Sequence, residues 1–260
     1  MEMVSTMRTD GNGVAVISKM VQILDAVANG ESVNVSQLSE KVHLPRTTVF
    51  RILTTLVAEG VLTDTYQPAT RLVMWAHAAL RSTDLRGASV QVLDKLLEQY
   101  RETASVYVRV GDARVCLDRR EGLALLRHTI VIGEPMPLHV GSTGGILLAW
   151  ESDEFRKELW RASCERFPSI PPVHHPDWEV IRRQAWAVSM GERDAALASV
   201  SVPIFGPATR KEQKVIGALS ISGAVERFAQ MDLEQVTSQL KADAESITER
   251  LHGIDISSIV

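Results

Sequence analysis

The hydrophobic and polar positions near the start of the chain predict two short helices joined by a tight turn. Asn34 followed by Gln37 is typical of a capping box, in which a side chain satisfies a free N–H at the helix start. Val33 and Leu38 would form an apolar staple across this cap. The first helix should therefore run from this cap to about Val42.

A second helix is predicted directly afterwards, with Pro45 at its first position, where a missing N–H costs nothing. Its apolar residues recur at helical spacing and should form a core face made of Val49, Ile52, Leu53, Leu56 and Val57. The opposite face is then exposed to solvent and carries Arg46, Thr47, Thr48, Phe50, Arg51 and Thr54.

The side chains on this exposed face suit DNA recognition. An arginine can donate paired hydrogen bonds to guanine, threonine hydroxyls can bond phosphates or base edges, and methyl groups or a ring can contact the thymine methyl. Two other interpretations are open on these residues alone: an ordinary solvated amphipathic helix, and a helix-turn-helix used for packing without DNA.

A third helix should precede this pair. It begins after Gly13 and ends at Asn29-Gly30, a common helix stop. Its apolar residues predict a core stripe made of Ile17, Met20, Val21, Leu24, Val27 and Ala28.

A short hairpin is predicted after the second helix. Residues 61–64 and 71–73 resemble two strands around a tip rich in turn-forming residues. Helix, helix-turn-helix and hairpin together make the winged version of the motif. Tyr66 in the tip and Arg71 in the second strand are predicted to contact DNA with the helix.

The remainder of the chain predicts a mixed domain of helices and strands behind a helical connector. Residues 73–84 are rich in alanine and contain no proline or glycine, which favours a stiff helix. Helical spacing predicts further helices at 85–102, 141–151, 153–163, 177–184 and from Asp232. Alternation predicts strands at 105–110, 114–118, 125–131, 198–204 and 215–222. The fold class is therefore α+β.

Composition indicates an ordinary soluble protein. The 260 residues allow one large or two modest domains, and 45% hydrophobic content can fill their cores. A formal charge of -4 excludes a protein that coats nucleic acid along its whole length, yet it allows a small DNA-binding domain. Cys116 and Cys164 show no metal or disulfide spacing. Without a membrane-length apolar run or a secretion signal, we expect a cytoplasmic protein with no membrane partner.

Three segments resemble motifs of the IclR family of bacterial transcription regulators. LPRTTVFRILTTLVAEGVL, at 44–62, is similar to the reading helix and the start of the wing in that family. PLHVGSTGGILLAW, at 137–150, and VIGALSISGAVERF, at 215–228, resemble two segments of its C-terminal domain. The resemblance implies an N-terminal winged helix-turn-helix domain, a helical linker and a C-terminal GAF-like α/β effector-binding domain.

The chain departs from the family pattern at three places. His43 stands at a turn where the family usually has glycine, and we expect this position to need a positive φ. Gly145 replaces the lysine of a Gly-Lys pair at the start of the central helix. The last hairpin, residues 205–214, is longer than usual. None of these departures removes the predicted fold.

The most informative segment of the C-terminal half is HVGSTGGILLAW, in which small residues lead directly into an apolar helix. The first N–H groups of such a helix lack internal partners and, with the helix dipole, favour an anion. A plain capped helix packed on a sheet is the alternative. The resemblance implies a small, often acidic effector here, and it assigns to the pocket Leu125, His128, Met136, Ser142, Thr143, Ser189, Leu197, Ser199, Ser220 and Ser222.

Each of these assignments has a structural alternative, because serines in strands are often satisfied by backbone groups. The charged run at 191–194 is either part of the pocket rim or only a charged turn.

Enzymatic and metal-binding interpretations have weaker signals. The GSTGG segment does not match the G-x-S-x-G nucleophile elbow, and His139 beside Ser142 is interpreted as a packing or hydrogen-bonding histidine. His174 and His175 with Asp177 could bind a metal, although a solvated proline-rich loop explains them more simply. We therefore predict no catalytic residue, no metal and no cofactor.

These observations predict a two-domain DNA-binding regulator. We expect a flexible arm at 1–12, a winged helix-turn-helix domain at 13–72, a linker helix at 73–84 and an effector-binding domain at 85–260. One short reading helix covers only a half-site, so a homodimer or a dimer of dimers should bind double-stranded operator DNA. GERDAALASVSVPIFGP resembles an actinobacterial branch of the family associated with amino-acid metabolism, leucine biosynthesis among it. The alternative is an enzyme acting on a small acidic metabolite, with a vestigial helix-turn-helix head.

Overall fold

The computed structural model describes residues 15–28, 34–72, 74–75, 84–123, 130–172, 176–206 and 214–251. The chain divides into two compact units, residues 1–79 and 80–260. The predicted arm at 1–12 and most of the predicted linker at 73–84 lie outside the described residues.

The described part of the first unit contains the helices α1 (Ala15–Ala28), α2 (Val35–Val42) and α3 (Arg46–Ala58) and a helical segment at 70–72. The predicted cap of α2 is confirmed, because the Gln37 N–H donates to Asn34 Oδ1 at 2.9 Å. The staple residue Val33 lies outside the described residues.

The turn between α2 and α3 has the predicted positive φ, but α3 begins one residue later than predicted. His43 lies in the left-handed region, at φ 51° and ψ 48°, so the predicted positive φ is confirmed. Pro45 is the N-cap of α3 rather than its first residue, because its ψ of 141° is extended. Its carbonyl oxygen already accepts from the Val49 N–H at 3.1 Å, which is the first bond of the helix.

The apolar face of α3 is confirmed as the core of the first unit. Its buried members are Val49, Leu53 and Leu56, and the half-buried members at the edge of the same cluster are Ile52 and Val57. The predicted stripe of α1 is wrong for three exposed members, Ile17, Val21 and Ala28. That helix has two apolar edges, and the edge that enters the core carries Ile23, Ala26 and Val27.

The hairpin after α3 is shorter than predicted. Leu62 and Pro68 form a single antiparallel bridge, and the Thr63 N–H donates to the Gln67 carbonyl at 2.8 Å. The predicted second strand at 71–73 is wrong, because the described residues at 70–72 are helical. Helix-forming residues follow Pro68 without another proline or a glycine, so a helix begins where the strand was expected.

The second unit is built on a six-stranded antiparallel sheet with the order β3-β2-β1-β6-β5-β4. Its strands are β1 (Thr103–Val110), β2 (Ala113–Arg120), β3 (Pro135–Pro137), β4 (Ala187–Met190), β5 (Leu197–Phe205) and β6 (Val215–Ala224). Alternation predicted the four long strands, whereas β3 and β4 are too short to show it. Of the strand predicted at 125–131, residues 125–129 lie outside the described part of the chain, and 130–131 are not in a strand.

Helices cover both faces of this sheet. One face packs against α4 (Asp84–Tyr100) and α9 (Leu233–Leu251). The other packs against α5 (Ser142–Ala149), α6 (Asp153–Arg166) and α7 (Trp178–Gln184), and the short α8 (Val225–Phe228) follows β6. Alternation along β1 explains the division, because Ala104 and Val106 lie in the α4 and α9 core while Tyr107 lies in the α5 core. The polar positions of β1 therefore share a face with Tyr107.

An ion pair joins Glu102, the residue before β1, to Arg227 of α8. Glu102 is 2% exposed, and its Oε2 accepts from Arg227 Nη2 at 2.8 Å. A side chain at Gly223 would overlap the Glu102 carboxylate, so the glycine leaves the space that the buried acid needs. This contact gives the arginine of the VIGALSISGAVERF segment a structural role.

We expect Arg227→Ala to lower the free energy of unfolding by roughly 2–3 kcal/mol, because it leaves a buried carboxylate without its partner. Arg227→Lys keeps the charge but not the paired geometry, so it should lose about half as much. Urea denaturation of the full chain measures both variants. A loss below about 0.5 kcal/mol for Arg227→Ala, the range of an ordinary surface exchange, would contradict this role.

Candidate functional site

The candidate DNA-reading face is the solvent side of α3. The exposed predicted contacts on this helix are Arg46, Thr47, Phe50, Arg51 and Thr54, and Thr48 is half-buried. The Arg51 guanidinium makes no hydrogen bond or ion pair with any described residue. The Thr54 hydroxyl donates back to the Phe50 carbonyl at 2.9 Å, which leaves its methyl group for an outside partner. A free guanidinium, threonine methyls and an exposed ring are groups that can contact bases and phosphates.

The two predicted contacts outside α3 have different surroundings. Tyr66 has a φ of 57° and packs, half-buried, against the core of the first unit. Arg71 lies in the helical segment at 70–72, where its guanidinium is 3.9 Å from the exposed Glu59 carboxylate. Because exposed ion pairs hold a side chain weakly, Arg71 is the better placed of the two to contact a phosphate. Contact with DNA stays a prediction for both.

Strand pairing gathers the predicted serines on the face of the sheet that packs against α5. One row across β1, β6, β5 and β4 contains Thr103, Ser222, Ser199 and Ser189. The neighbouring row on the same face contains Ser105, Ser220 and Ser201. Ser142 reaches both rows from the first residue of α5, with its Oγ 2.7 Å from Ser199 Oγ and 2.7 Å from Ser201 Oγ.

Four of these hydroxyls form one hydrogen-bonded chain whose proton directions can be assigned. Ser220 donates to the Val200 carbonyl at 3.2 Å, and Ser201 donates to Ser220 at 2.9 Å. Each hydroxyl has a single proton, so Ser142 must donate to Ser201, and Ser199 must donate to Ser142. The chain then offers a ligand only oxygen lone pairs. Because a carboxylate accepts hydrogen bonds and cannot donate them, these four serines do not supply the donors for one.

The remaining predicted effector residues are more scattered. Thr143 is buried in the first turn of α5, Met136 is buried in β3, and Leu197 is half-buried at the start of β5. Leu125 and His128 lie outside the described residues, so their assignment to the pocket stays a prediction.

The start of α5 brings a carboxylate and a buried guanidinium together. Gly141, at φ 84°, precedes the helix, and its N–H donates to Glu192 Oε2 at 2.7 Å. Arg114 of β2 is 4% exposed, and its Nη1 donates to the Val140 carbonyl. Its Nε has no hydrogen-bond partner among the described residues. Burial lowers the pKa of Arg114 to about 10, so the guanidinium stays protonated at neutral pH.

Glycine at two positions lets the guanidinium approach this helix start. A Cβ at Gly141 would lie 3.1 Å from Arg114 Nη1, and one at Gly144 would lie 3.2 Å from the same atom. Arg114 was not predicted as a site residue, because a charged residue in an alternating strand is ordinarily assigned to solvent. Glu192 was left open as part of a charged run. Ser201 was also missed, although its i+2 spacing from a predicted serine was an available signal.

A cavity of about 180 Å³ lies beside the start of α5. Its lining includes Gly141, Ser142 and two carboxylates, those of Glu192 and Asp177, and most of the remaining wall is apolar. His139 also lines it, with Nδ1 2.9 Å from Ser163 Oγ and Nε2 3.0 Å from the Ile170 carbonyl oxygen. Both ring nitrogens are engaged, as expected for a hydrogen-bonding histidine in a packed core.

The described parts of the chain contain neither a metal-binding cluster nor a membrane-spanning helix. There, no group of three or more His, Cys, Asp or Glu side chains is placed to hold a metal ion. The predicted alternative at His174 and His175 lies outside those parts. No described helix combines the length and the apolar character that crossing a membrane requires.

Comparison with known proteins identifies both units. The family model described as "Bacterial transcriptional regulator IclR C-terminal" matches residues 77–249, and "IclR helix-turn-helix domain" matches 16–65. The HTH-type transcriptional regulator KdgR of Dickeya chrysanthemi is 26% identical over 252 residues, which cover 92% of this chain and 81% of that protein. The Pca regulon regulatory protein of Pseudomonas putida is 30% identical over 211 residues, which cover 77% of this chain and 71% of that protein.

Solved structures show the same fold. An IclR family transcriptional regulator from Brucella abortus superposes with a TM-score of 0.72 at 20% identity, covering 95% of this chain and 96% of that one. An IclR homologue from Microbacterium hydrocarbonoxydans, complexed with 4-hydroxybenzoate, gives 0.70 at 22% identity, covering 90% and 98%. The predicted fold class, an N-terminal helix-turn-helix domain followed by a C-terminal α/β domain, is confirmed. The chain belongs to the IclR family of DNA-binding transcriptional regulators.

Proposed function

We propose that a small carboxylate binds at the start of α5 and thereby changes the affinity of this regulator for operator DNA. One observation carries the proposal: the Gly141 N–H already holds the Glu192 carboxylate, beside the buried Arg114 guanidinium. A helix N-terminus favours a negative charge for the same electrostatic reason. The 4-hydroxybenzoate bound by the Microbacterium homologue, itself a carboxylate, supports this class of ligand.

The hydrogen-bonded serines Ser142, Ser199, Ser201 and Ser220 further restrict which functional groups the proposed ligand can carry. Because Ser199 and the serines behind it present lone pairs, a ligand that meets them should carry a hydrogen-bond donor as well as its carboxylate. Amino acids and hydroxy acids have both groups. The resemblance of residues 191–207 to an actinobacterial branch associated with amino-acid metabolism supports the same class, with leucine biosynthesis as one candidate pathway.

We also propose how the two units are coupled. The regulator would act as a homodimer or a dimer of dimers in the cytoplasm, and ligand binding would change the spacing of two reading helices through the linker at 73–84. A ligand shifts such an equilibrium only by its difference in affinity for the two spacings. If calorimetry shows that a carboxylate binds the protein but operator affinity does not change, the proposed coupling is contradicted.

An enzyme acting on a small acidic metabolite is the second candidate, and the described residues favour the regulator. Ser163 and His139 form a serine-histidine pair, but both are fully buried. His139 Nε2 lies against the Ile170 carbonyl rather than an acid that would orient a catalytic base. We therefore propose no catalytic role and no cofactor.

Footprinting on the intergenic DNA beside the gene would define the operator, and Arg51→Ala then tests the reading face. We expect this exchange to weaken operator binding by roughly 1–3 kcal/mol, or about 5- to 150-fold, because the guanidinium is free to bond a base. Fluorescence anisotropy with a labelled duplex measures the change. A random duplex should lose much less affinity.

Arg161→Ala is the matched control for charge. Arg161 is exposed on α6 of the second unit, 3.9 Å from the Glu165 carboxylate, so this exchange removes the same charge without changing α3. It should leave operator affinity unchanged. If Arg51→Ala weakens cognate and random duplexes equally, Arg51 contacts a phosphate and does not read a base.

A further inference from the structure

We propose that Glu192 is an internal competitor for the effector: its carboxylate occupies the anion position at the start of α5, and a carboxylate ligand binds by replacing it. This inference rests on the proposed function, since it assumes that the second unit binds a carboxylate. It gives Glu192 a regulatory role and Arg114 a ligand-binding role, neither of which the sequence motifs predicted.

The Glu192 carboxylate binds the N–H of the N-cap residue of α5. An N-cap side chain usually accepts from the second or third N–H of its helix, but Gly141 has no side chain to do so. The N–H of Gly141 itself donates to a carboxylate from a residue 51 positions later in the chain. That bond is charge-assisted and meets the positive end of the helix dipole. A free carboxylate has the same chemistry and can take the same place.

Gly141 brings the Glu192 carboxylate and the Arg114 guanidinium together. Its N–H donates to Glu192 Oε2 at 2.7 Å, and a Cβ at this position would lie 3.1 Å from Arg114 Nη1. Burial lowers the pKa of Arg114, and the Glu192 carboxylate raises it, so the carboxylate acts on this guanidinium. Arg114 is only 4% exposed, and its Nε has no hydrogen-bond partner among the described residues. We propose that a ligand oxygen reaches this donor when it replaces the Glu192 carboxylate, which leaves the Nε without a partner.

The loop that carries Glu192 links ligand exchange to the sheet. The Gly191 N–H donates to the Leu197 carbonyl at 2.8 Å, and the Leu197 N–H donates to the Asp194 carbonyl at 2.9 Å. These bonds make the connection between β4 and β5 a compact turn. When a ligand replaces Glu192, this turn loses its bond to the start of α5, while the strands on either side remain paired.

The displaced side chain has space beside α5. Glu192 lines the cavity of about 180 Å³ together with Gly141 and Ser142. One water molecule needs roughly 10–15 Å³ of such volume, so the cavity can hold several heavy atoms. A ligand carboxylate at the Gly141 N–H and a retracted Glu192 side chain can therefore fit near one another.

Thermal unfolding of the full chain in sodium acetate tests this competition, with sodium chloride at the same ionic strength as the reference. In the wild type, the internal carboxylate competes, so acetate should raise the midpoint little. In Glu192→Ala and Glu192→Gln, acetate should bind about ten-fold more tightly and raise the midpoint at correspondingly lower concentrations. Glu134→Ala removes an exposed carboxylate of the segment before β3, so it should respond like the wild type.

An equal acetate response in the wild type, in both Glu192 variants and in Glu134→Ala would overturn the competitor role. Glu192→Gln nearly preserves the shape of the side chain, so it keeps the test decisive even if the alanine variant does not fold. Operator binding by the same proteins separates the two proposals. An equal acetate response with intact operator binding rejects only the competitor role, whereas a wild type without sequence-specific DNA binding rejects the proposed function whatever acetate does.

Discussion

Gly144→Ala is expected to lower the free energy of unfolding of the second unit by about 3 kcal/mol or more. Gly144 lies in α5, and a Cβ at this position would overlap the Leu138 carbonyl oxygen and lie 3.0 Å from the carbonyl carbon. Backbone atoms cannot rotate away as a side chain can, so α5 must shift. The same shift would move the helix start relative to Arg114, so it should disturb the proposed carboxylate position as well.

The neighbouring exchange Gly145→Ala is the matched control. A Cβ at Gly145 would lie 3.2 Å from Ile181 Cδ1 and 3.7 Å from Ala187 Cβ, both of which are side-chain atoms. Alanine is favoured over glycine inside a helix by about 1 kcal/mol, which offsets the small movement of Ile181. Urea denaturation followed by circular dichroism should therefore separate the two variants clearly. Similar losses for both would show that close backbone packing at Gly144 is not what fixes α5.

Leu53→Ala is expected to destabilise the first unit by about 3 kcal/mol and to abolish operator binding with it. Leu53 is fully buried in the core cluster formed by α1, α2 and α3. A unit of this size buries little surface, so it cannot absorb such a loss easily. Operator affinity by fluorescence anisotropy, together with thermal unfolding followed by circular dichroism, measures the effect.

Thr54→Ala tests the adjacent position on the exposed side of the same helix. The Thr54 hydroxyl bonds only carbonyl oxygens of its own helix, at 2.9 and 3.1 Å, so stability should change by less than about 0.5 kcal/mol. Any loss of operator affinity in this variant then reports a lost contact with DNA. Full operator binding by Leu53→Ala would contradict the view that this core positions α3.

Local signals explain which parts of the first unit the sequence predicted. The Asn34 cap depends on residues three positions apart, and the left-handed His43 depends on a turn of few residues, so both could be derived from short segments. The second strand of the hairpin failed because local helix preference after Pro68 outweighed the expected topology. The α1 stripe failed because periodicity identifies apolar edges but does not say which edge meets the core.

In the second unit, the contacts between residues distant in sequence could not be predicted. Period-two spacing predicted the long strands, and the family resemblance assigned most of the serines that strand pairing brings onto one face. The contact between Gly141 and Glu192 joins residues 51 positions apart, and no local pattern signals it. Arg114 is buried because Gly141 and Gly144 leave space for its guanidinium. The sequence of β2 alone contains a charged residue there and therefore predicts an exposed side chain. Gly145, where the family has lysine, lines the cavity, and a side chain there would contact Ile181 and Ala187.

The central claim is that a carboxylate bound to the second unit controls sequence-specific DNA binding by α3. The most direct measurement is the affinity of the full chain for its footprinted operator and for a scrambled duplex, with and without a carboxylate that calorimetry shows to bind. We expect the operator to bind about a thousand-fold or more tightly than the scrambled duplex. The carboxylate should change operator affinity by at least about five-fold. Equal affinity for both duplexes, or an operator affinity that is the same with and without the bound carboxylate, would contradict this claim.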